Sequence, residues 1–302
     1  MKSIKELYRI GTGPSSSHTM GPRKAAEIFL ERHPEATAFK VTLYGSLAAT
    51  GKGHMTNIAI TEVLQPVAPV EIIWEPKIFL PFHPNGMKFV SVDKEGKETD
   101  QWVVFSIGGG ALAEESDGAS SVNTPDVYSM NSMTEILQWC ERTGKSYWEY
   151  VKECEDSDIW DYLQEVWKTM QNAVKRGLEQ EGVLPGPLNL RRKASTYYIR
   201  ASGYKQSLQS RGLVFAYALA VSEENASGGV IVTAPTCGSC GVMPAVLYHL
   251  AKSREFSDTR ILRALATAGL VGNIVKTNAS ISGAEVGCQG EVGVACAMAS
   301  AA

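Results

Sequence analysis

The chain has 302 residues, 44% of them hydrophobic and 20% charged, with a formal net charge of -3 and a pI near 6.0. That length and apolar content can bury a sizeable core and is long enough for two domains, while the slightly acidic balance and the lack of a basic run argue against nucleic acid or an anionic membrane as partner. A small-molecule role is favoured. The opening Met-Lys-Ser-Ile-Lys-Glu-Leu-Tyr-Arg lacks the apolar core of a signal peptide. No apolar run reaches the roughly 18 residues of a membrane span: 212–221 is short, and 261–275 is interrupted by Arg263 and Asn273. Six cysteines without a secretion signal are expected as reduced thiols in the cytoplasm.

The first motif is Gly11-Thr-Gly-Pro-Ser15-Ser16-Ser17-His18-Thr19-Met-Gly-Pro22, followed by an amphipathic run through Leu30. Pro22 fits the first turn of a helix and the hydroxyls before it can cap. Such a junction is either an ordinary helix start or a place where free N–H groups meet an anion. Val41–Tyr44 alternates like a strand and leads into Lys52-Gly-His54-Met-Thr-Asn57. His54 is the natural acid-base candidate, because imidazole titrates near neutral pH, although a lone loop histidine also serves packing. Val70–Trp74, Met87–Val92 and Gln101–Ile107 read as strands, the last two joined by the charged turn 93–100. His83, in Phe82-His-Pro-Asn-Gly, reads as a structural turn residue.

Ser106-Ile-Gly-Gly-Gly110 closes this region, and the polar, turn-rich stretch that follows reads as a linker. From Ser132 the pattern is helical: Ser132-Met-Thr-Glu135 looks like a capping box, and 158–178 carries Ile159, Leu163, Val166, Met170, Val174 and Leu178 at helical spacing. That stripe is read as core. Arg191-Arg192-Lys193 is either a solvated face or a guide for an acidic substrate. The expected fold class is α+β: an N-terminal α+β domain (1–112), a linker (113–131) and an all-α domain (132–302). The last residues, Cys296-Ala-Met-Ala-Ser-Ala-Ala302, read as mid-helix with no stop signal, so the helical domain is expected to be incomplete at its C-terminus.

Four of the six cysteines fall between Thr233 and Cys296: Cys237-Gly-Ser-Cys240, and Cys288 and Cys296 in a Gly-rich run that turns Ala-rich. Thiolates select zinc, copper or iron-sulfur clusters, and glycines let backbone amides approach inorganic sulfur. The same spacing also serves a zinc half-site, a redox pair or simply buried cysteines. Asn278, Ser280, Ser282, Glu285, Gln289 and Glu291 crowd around Cys288. A closed structural zinc site needs no such polar company, whereas a cluster with an open iron facing a polar substrate does.

The run Asn278-Ala-Ser-Ile-Ser-Gly-Ala-Glu-Val-Gly-Cys-Gln-Gly-Glu-Val-Gly293 closely resembles the helical domain of the bacterial iron-sulfur L-serine dehydratases, or L-serine ammonia-lyases. So do Glu223–Gly229, Thr233-Ala-Pro-Thr236, Glu181–Leu188 and, at the N-terminus, Gly-Pro-Ser-Ser-Ser-His-Thr. The resemblance implies deamination of L-serine to pyruvate and ammonia in amino-acid catabolism and gluconeogenesis, by a cytoplasmic homodimer. It implies a 4Fe-4S cluster on Cys240, Cys288 and Cys296 with one iron open, and His54 as the base that takes the alpha proton. It implies that Ser15, Ser16, Ser17, His18 and Thr19, with Asn278, Ser280 and Ser282, hold the substrate carboxylate.

The chain also departs from the family. Asn57 stands where an aspartate is more usual, so a weaker base is expected if that carboxylate orients the imidazole. Cys237 stands where many relatives have another residue, and is either a spectator or a fourth thiolate that would close the cluster. The region between Ile60 and Phe82 is short. Two alternatives remain: a related lyase acting on cysteine or threonine, and a catalytically silent serine-binding protein.

Overall fold

The computed structural model describes residues 1–115, 125–281 and 283–302. The chain begins with a 3-10 turn (Ile4–Glu6) and strand β1 (Ile10–Thr12), then a π-helical turn (Ser16–Met20) that runs directly into α1 (Gly21–Arg32). Next come β2 (Ala38–Tyr44), α2 (Gly45–Thr50), α3 (Thr56–Leu64), β3 (Val70–Glu75), β4 (Gly86–Val92), β5 (Glu98–Gly108) and β6 (Ala111–Ala113). Among the described residues that follow, the named elements are helices and one strand: α4 (Met133–Thr143), α5 (Tyr147–Cys154), α6 (Ile159–Glu179), α7 (Ala194–Ser202), α8 (Gln206–Ala226), β7 (Val230–Val232), α9 (Val242–Ser253), α10 (Asp258–Asn278) and α11 (Gly283–Ala301). The fold class is α+β, as expected. The backbone divides into two units, residues 14–124 and residues 1–13 with 125–302. Residues 116–124 of the expected linker, and Ser282, lie outside the described residues.

The first unit is built on a five-stranded sheet in the order β3-β2-β4-β5-β6. Strand β2 runs parallel to β3 and antiparallel to β4. A parallel pair needs a crossover, which α2 and α3 supply. Along β2 the period-2 pattern buries Phe39, Val41 and Leu43 and leaves the alternate residues half-buried. Phe29 of α1 drops onto that face, with ring centroids 6.1 Å from Phe39, 5.4 Å from Phe89 and 6.4 Å from Trp102. Leu47, Ile60 and Leu64 from α2 and α3 complete the same core. Truncating Phe29 to Ala would cost about 3–5 kcal/mol by the usual measure of a large core cavity.

In the second unit the capping box at Ser132 and Glu135 forms. The α6 stripe is buried at Ile159, Leu163, Val166, Met170 and Val174, joined by Trp167, Ala173 and Gly177. The first thirteen residues group with this unit. Strand β1 pairs antiparallel with β7, the Tyr8 hydroxyl donates to Leu265 O at 3.0 Å, and Asn273 Nδ2 donates to Lys2 O at 2.7 Å. Three-residue strands leave no periodic trace of such distant pairing. Glu155 anchors the same segment, accepting from Ser3 Oγ (2.7 Å), Ile4 N (2.8 Å) and the Tyr128 hydroxyl (2.7 Å). Among the described residues no helix is long and apolar enough to cross a membrane.

Candidate active site

In the sheet unit, two glycine-bounded segments meet. The first is the Ser15–Thr19 loop, where Ser15 caps the π turn by accepting the His18 N–H at 3.1 Å, and the Ser15 N–H donates to Thr19 Oγ1 at 3.2 Å. The second is the turn from α2 into α3 that carries His54. Side-chain to backbone bonds stitch them together: Thr19 Oγ1 donates to His54 O at 2.6 Å, and Thr56 Oγ1 donates to His18 O. The His18 and His54 rings lie 4.7 Å apart. The structure thus brings Ser15, Ser16, Ser17, His18 and Thr19 together with His54.

The tautomer of His54 follows from its partner. Nδ1 lies 3.0 Å from Thr50 O; a carbonyl only accepts, so Nδ1 carries the hydrogen and Nε2 keeps its lone pair. Orientation therefore comes from the backbone of α2. The Asn57 side chain makes no hydrogen bond among the described residues, so position 57 does not orient the imidazole here. His18 is 7% exposed, with Nδ1 3.0 Å from Ser17 Oγ and Nε2 3.1 Å from Ser46 Oγ. Burial, helped by the neighbouring His54, lowers its pKa to about 4, so it is a neutral hydrogen-bonding group at physiological pH. Ser46, Thr50 and Thr56 escaped the sequence reading, because their contribution is a short polar contact that no spacing rule marks.

In the helical unit, Cys237 and Cys240 lie buried on the turn between β7 and α9, and the Cys240 N–H donates to Cys237 O at 3.2 Å. Cys288 and Cys296 are exposed on α11. This helix packs against α9 and α10 and is broken at Gly287, whose φ of 66° is open to glycine. Glu291 docks on the turn by accepting from the Thr236 hydroxyl. A Cβ at Gly238 would lie 2.7 Å from its carboxylate, so only glycine fits there. Burial, then the nearby Cys240 thiol and Glu291 carboxylate, pushes Cys237 well above the ordinary thiol range, and burial pushes Cys240 up to about 12.

The donor chemistry suits an iron-sulfur cluster, since all the candidates are soft thiols on two packed elements flanked by glycine. Their present placement does not gather them: among the described residues no three His, Cys, Asp or Glu side chains are positioned to hold a metal ion. Asn278 is exposed and its amide donates internally, to Asn131 O at 2.7 Å and Ile274 O at 2.9 Å. Ser280 is half-buried just beyond α10.

Comparison with known proteins bears on both units. The family model described as "Serine dehydratase alpha chain" matches residues 84–302, and that described as "Serine dehydratase beta chain" matches residues 3–73. The L-serine dehydratase of Haemophilus influenzae is 37% identical over 354 residues, covering 100% of this chain and 78% of that protein. L-serine dehydratase 1 of Escherichia coli is 39% identical over 355 residues, again covering 100% and 78%. The L-serine dehydratase of Streptomyces coelicolor is 36% identical over 352 residues, covering 99% and 77%. These alignments exceed the chain's own length, so the relatives carry internal segments that it lacks.

Proposed function

The chain belongs to the serine dehydratase family, and on that footing we propose that it converts L-serine to pyruvate and ammonia, with a 4Fe-4S cluster as cofactor. Cys240, Cys288 and Cys296 would hold the cluster, and Cys237 would stay a protonated bystander. When bound, an iron with an open position supplies a Lewis acid for the departing hydroxide.

The remaining chemistry belongs to this chain's side chains. His54 Nε2 takes the alpha proton, while its Nδ1–H stays on Thr50 O so that the ring does not turn during transfer. The Ser15, Ser16, Ser17 and Thr19 hydroxyls, with neutral His18, position the substrate carboxylate; Asn278, Ser280 and Ser282 are proposed as further carboxylate ligands on the family resemblance alone. Loss of the proton and hydroxide leaves aminoacrylate, which tautomerises to an imine and hydrolyses. We extend the proposal to a cytoplasmic homodimer serving amino-acid catabolism and gluconeogenesis; the six free cysteines favour a reducing compartment.

The observation that carries the reading is the His54 imidazole with one nitrogen committed to a backbone carbonyl and the other free beside a hydroxyl-rich loop. The test is His54→Gln assayed for pyruvate. A loss of about a hundredfold or more with serine binding retained is expected of a general base, and a variant within threefold of the parent contradicts the role. The alternative, a catalytically silent serine-binding protein, would be supported by serine binding without pyruvate from iron-loaded protein. Relative turnover of serine, threonine and cysteine settles the leaving group.

A further inference from the structure

Between the start of α8 and the end of α9 lies a cavity of about 610 Å³ that the serine reaction does not use. We propose that this cavity binds a small organic carboxylate. Its α9 wall presents His249 and Lys252, with Arg254 just past the helix end, and its α8 wall presents Gln206, Gln209 and Ser210. Every polar group on both walls can donate a hydrogen bond, and no acidic side chain lines the cavity. The first turn of α8 is likewise free of acids. Among the described residues neither Lys252 nor Arg254 forms an ion pair; the Lys252 ammonium instead lies 5.3 Å over the Tyr248 ring.

Cations at the C-terminal end of a helix offset its dipole, which accounts for Lys252 in the last turn of α9 and Arg254 at its C-cap taken alone. It does not account for the facing wall, where neutral donors stand in place of the acids that would ordinarily neutralise them. His249 Nε2 is 2.6 Å from Ser210 Oγ, tying the two walls together. Burial and the nearby Arg254 lower its pKa and keep the ring uncharged, able to serve as a neutral donor at the rim. Buried Tyr217 and half-buried Leu213 give the cavity an apolar floor. A guanidinium fork matches a planar carboxylate in two parallel bonds, and the floor accepts an apolar body. The volume falls in the range of organic-ligand sites, well beyond what an inorganic anion fills.

The test uses the full chain and needs no turnover, so it is independent of the serine reaction. Benzoate is titrated by calorimetry, with the His249 side-chain signals followed by NMR. A saturable one-to-one isotherm and a shift of the His249 signals are expected. The double variant Lys252→Gln/Arg254→Gln should weaken binding at least tenfold, Lys168→Gln on the exposed face of α6 should leave it unchanged, and inorganic phosphate should bind at least tenfold more weakly than benzoate. Absence of saturable heat, unmoved His249 signals, equal affinity in the double variant, or phosphate binding as tightly as benzoate would each overturn the assignment. If the double variant does not fold, the His249 shift and the phosphate comparison on the parent chain still decide.

Discussion

Thr19 ties the two segments around His54, so Thr19→Val tests whether that stitching matters. The side chain is 2% exposed, and valine keeps its shape, so no cavity opens. What disappears is the 2.6 Å bond to His54 O and the acceptor for the Ser15 N–H at 3.2 Å. Each partly buried group left unpaired costs about 1–3 kcal/mol, and some relaxation of Ser15 toward water brings the total to about 2–3 kcal/mol. At a urea slope of about 2 kcal/mol/M the unfolding midpoint should fall by about 1 M with the slope unchanged. Freeing the His54 segment should also lower kcat/KM for serine, with about 1.4 kcal/mol of lost positioning worth tenfold. Thr19→Ser should restore both. Urea unfolding followed by circular dichroism, and a pyruvate assay, read the two effects; a midpoint within 0.2 M (about 0.4 kcal/mol) together with unchanged kcat/KM would refute the reasoning.

Because the pKa of His18 falls from 6.5 unfolded to about 4 folded, its contribution to stability is fully present above pH 6.5 and is lost as pH falls through 4, a loss of up to about 3 kcal/mol. Urea midpoints at pH 7 and 5 should diverge less in His18→Gln than in the parent, and equal divergence would contradict this. Glu155→Gln takes the charge out of all three buried hydrogen bonds, replaces one acceptor oxygen with an NH2 donor, and should cost about 2 kcal/mol, lowering Tm by about 4–8 °C; an unchanged Tm would contradict it. Gly177→Ala puts a Cβ 2.1 Å from Ala220 O and forces α6 from α8, so stability should fall despite a helix-propensity gain of about 1 kcal/mol; a rise would contradict it. After reconstitution, Cys240→Ser should lose bound iron and Cys237→Ser should keep it, measured as iron per chain.

Long periodic elements were legible in the sequence. The stripe from Ile159 to Val174, the capping box at Ser132 and the alternation in β2 each follow from a repeat that burial enforces. The pairing of Ile10–Thr12 with Val230–Val232 was not, because three residues carry no period and their partner lies more than two hundred positions away. At the candidate site, residue types pointed to His54 and the Ser15–Thr19 loop. Their mutual geometry did not show, since Thr50 acts through its carbonyl, which every residue possesses. Glu291 was visible only as one of a polar crowd near Cys288, and its contact with Thr236 depends on how α11 packs.

The most direct measurement is anaerobic reconstitution of the chain with iron and sulfide, followed by an absorption spectrum and a pyruvate assay on L-serine in the same sample. The account predicts a visible iron-sulfur band that changes on adding serine, accompanied by pyruvate. A cluster whose spectrum ignores serine, or serine binding with no pyruvate from the iron-loaded protein, would contradict it.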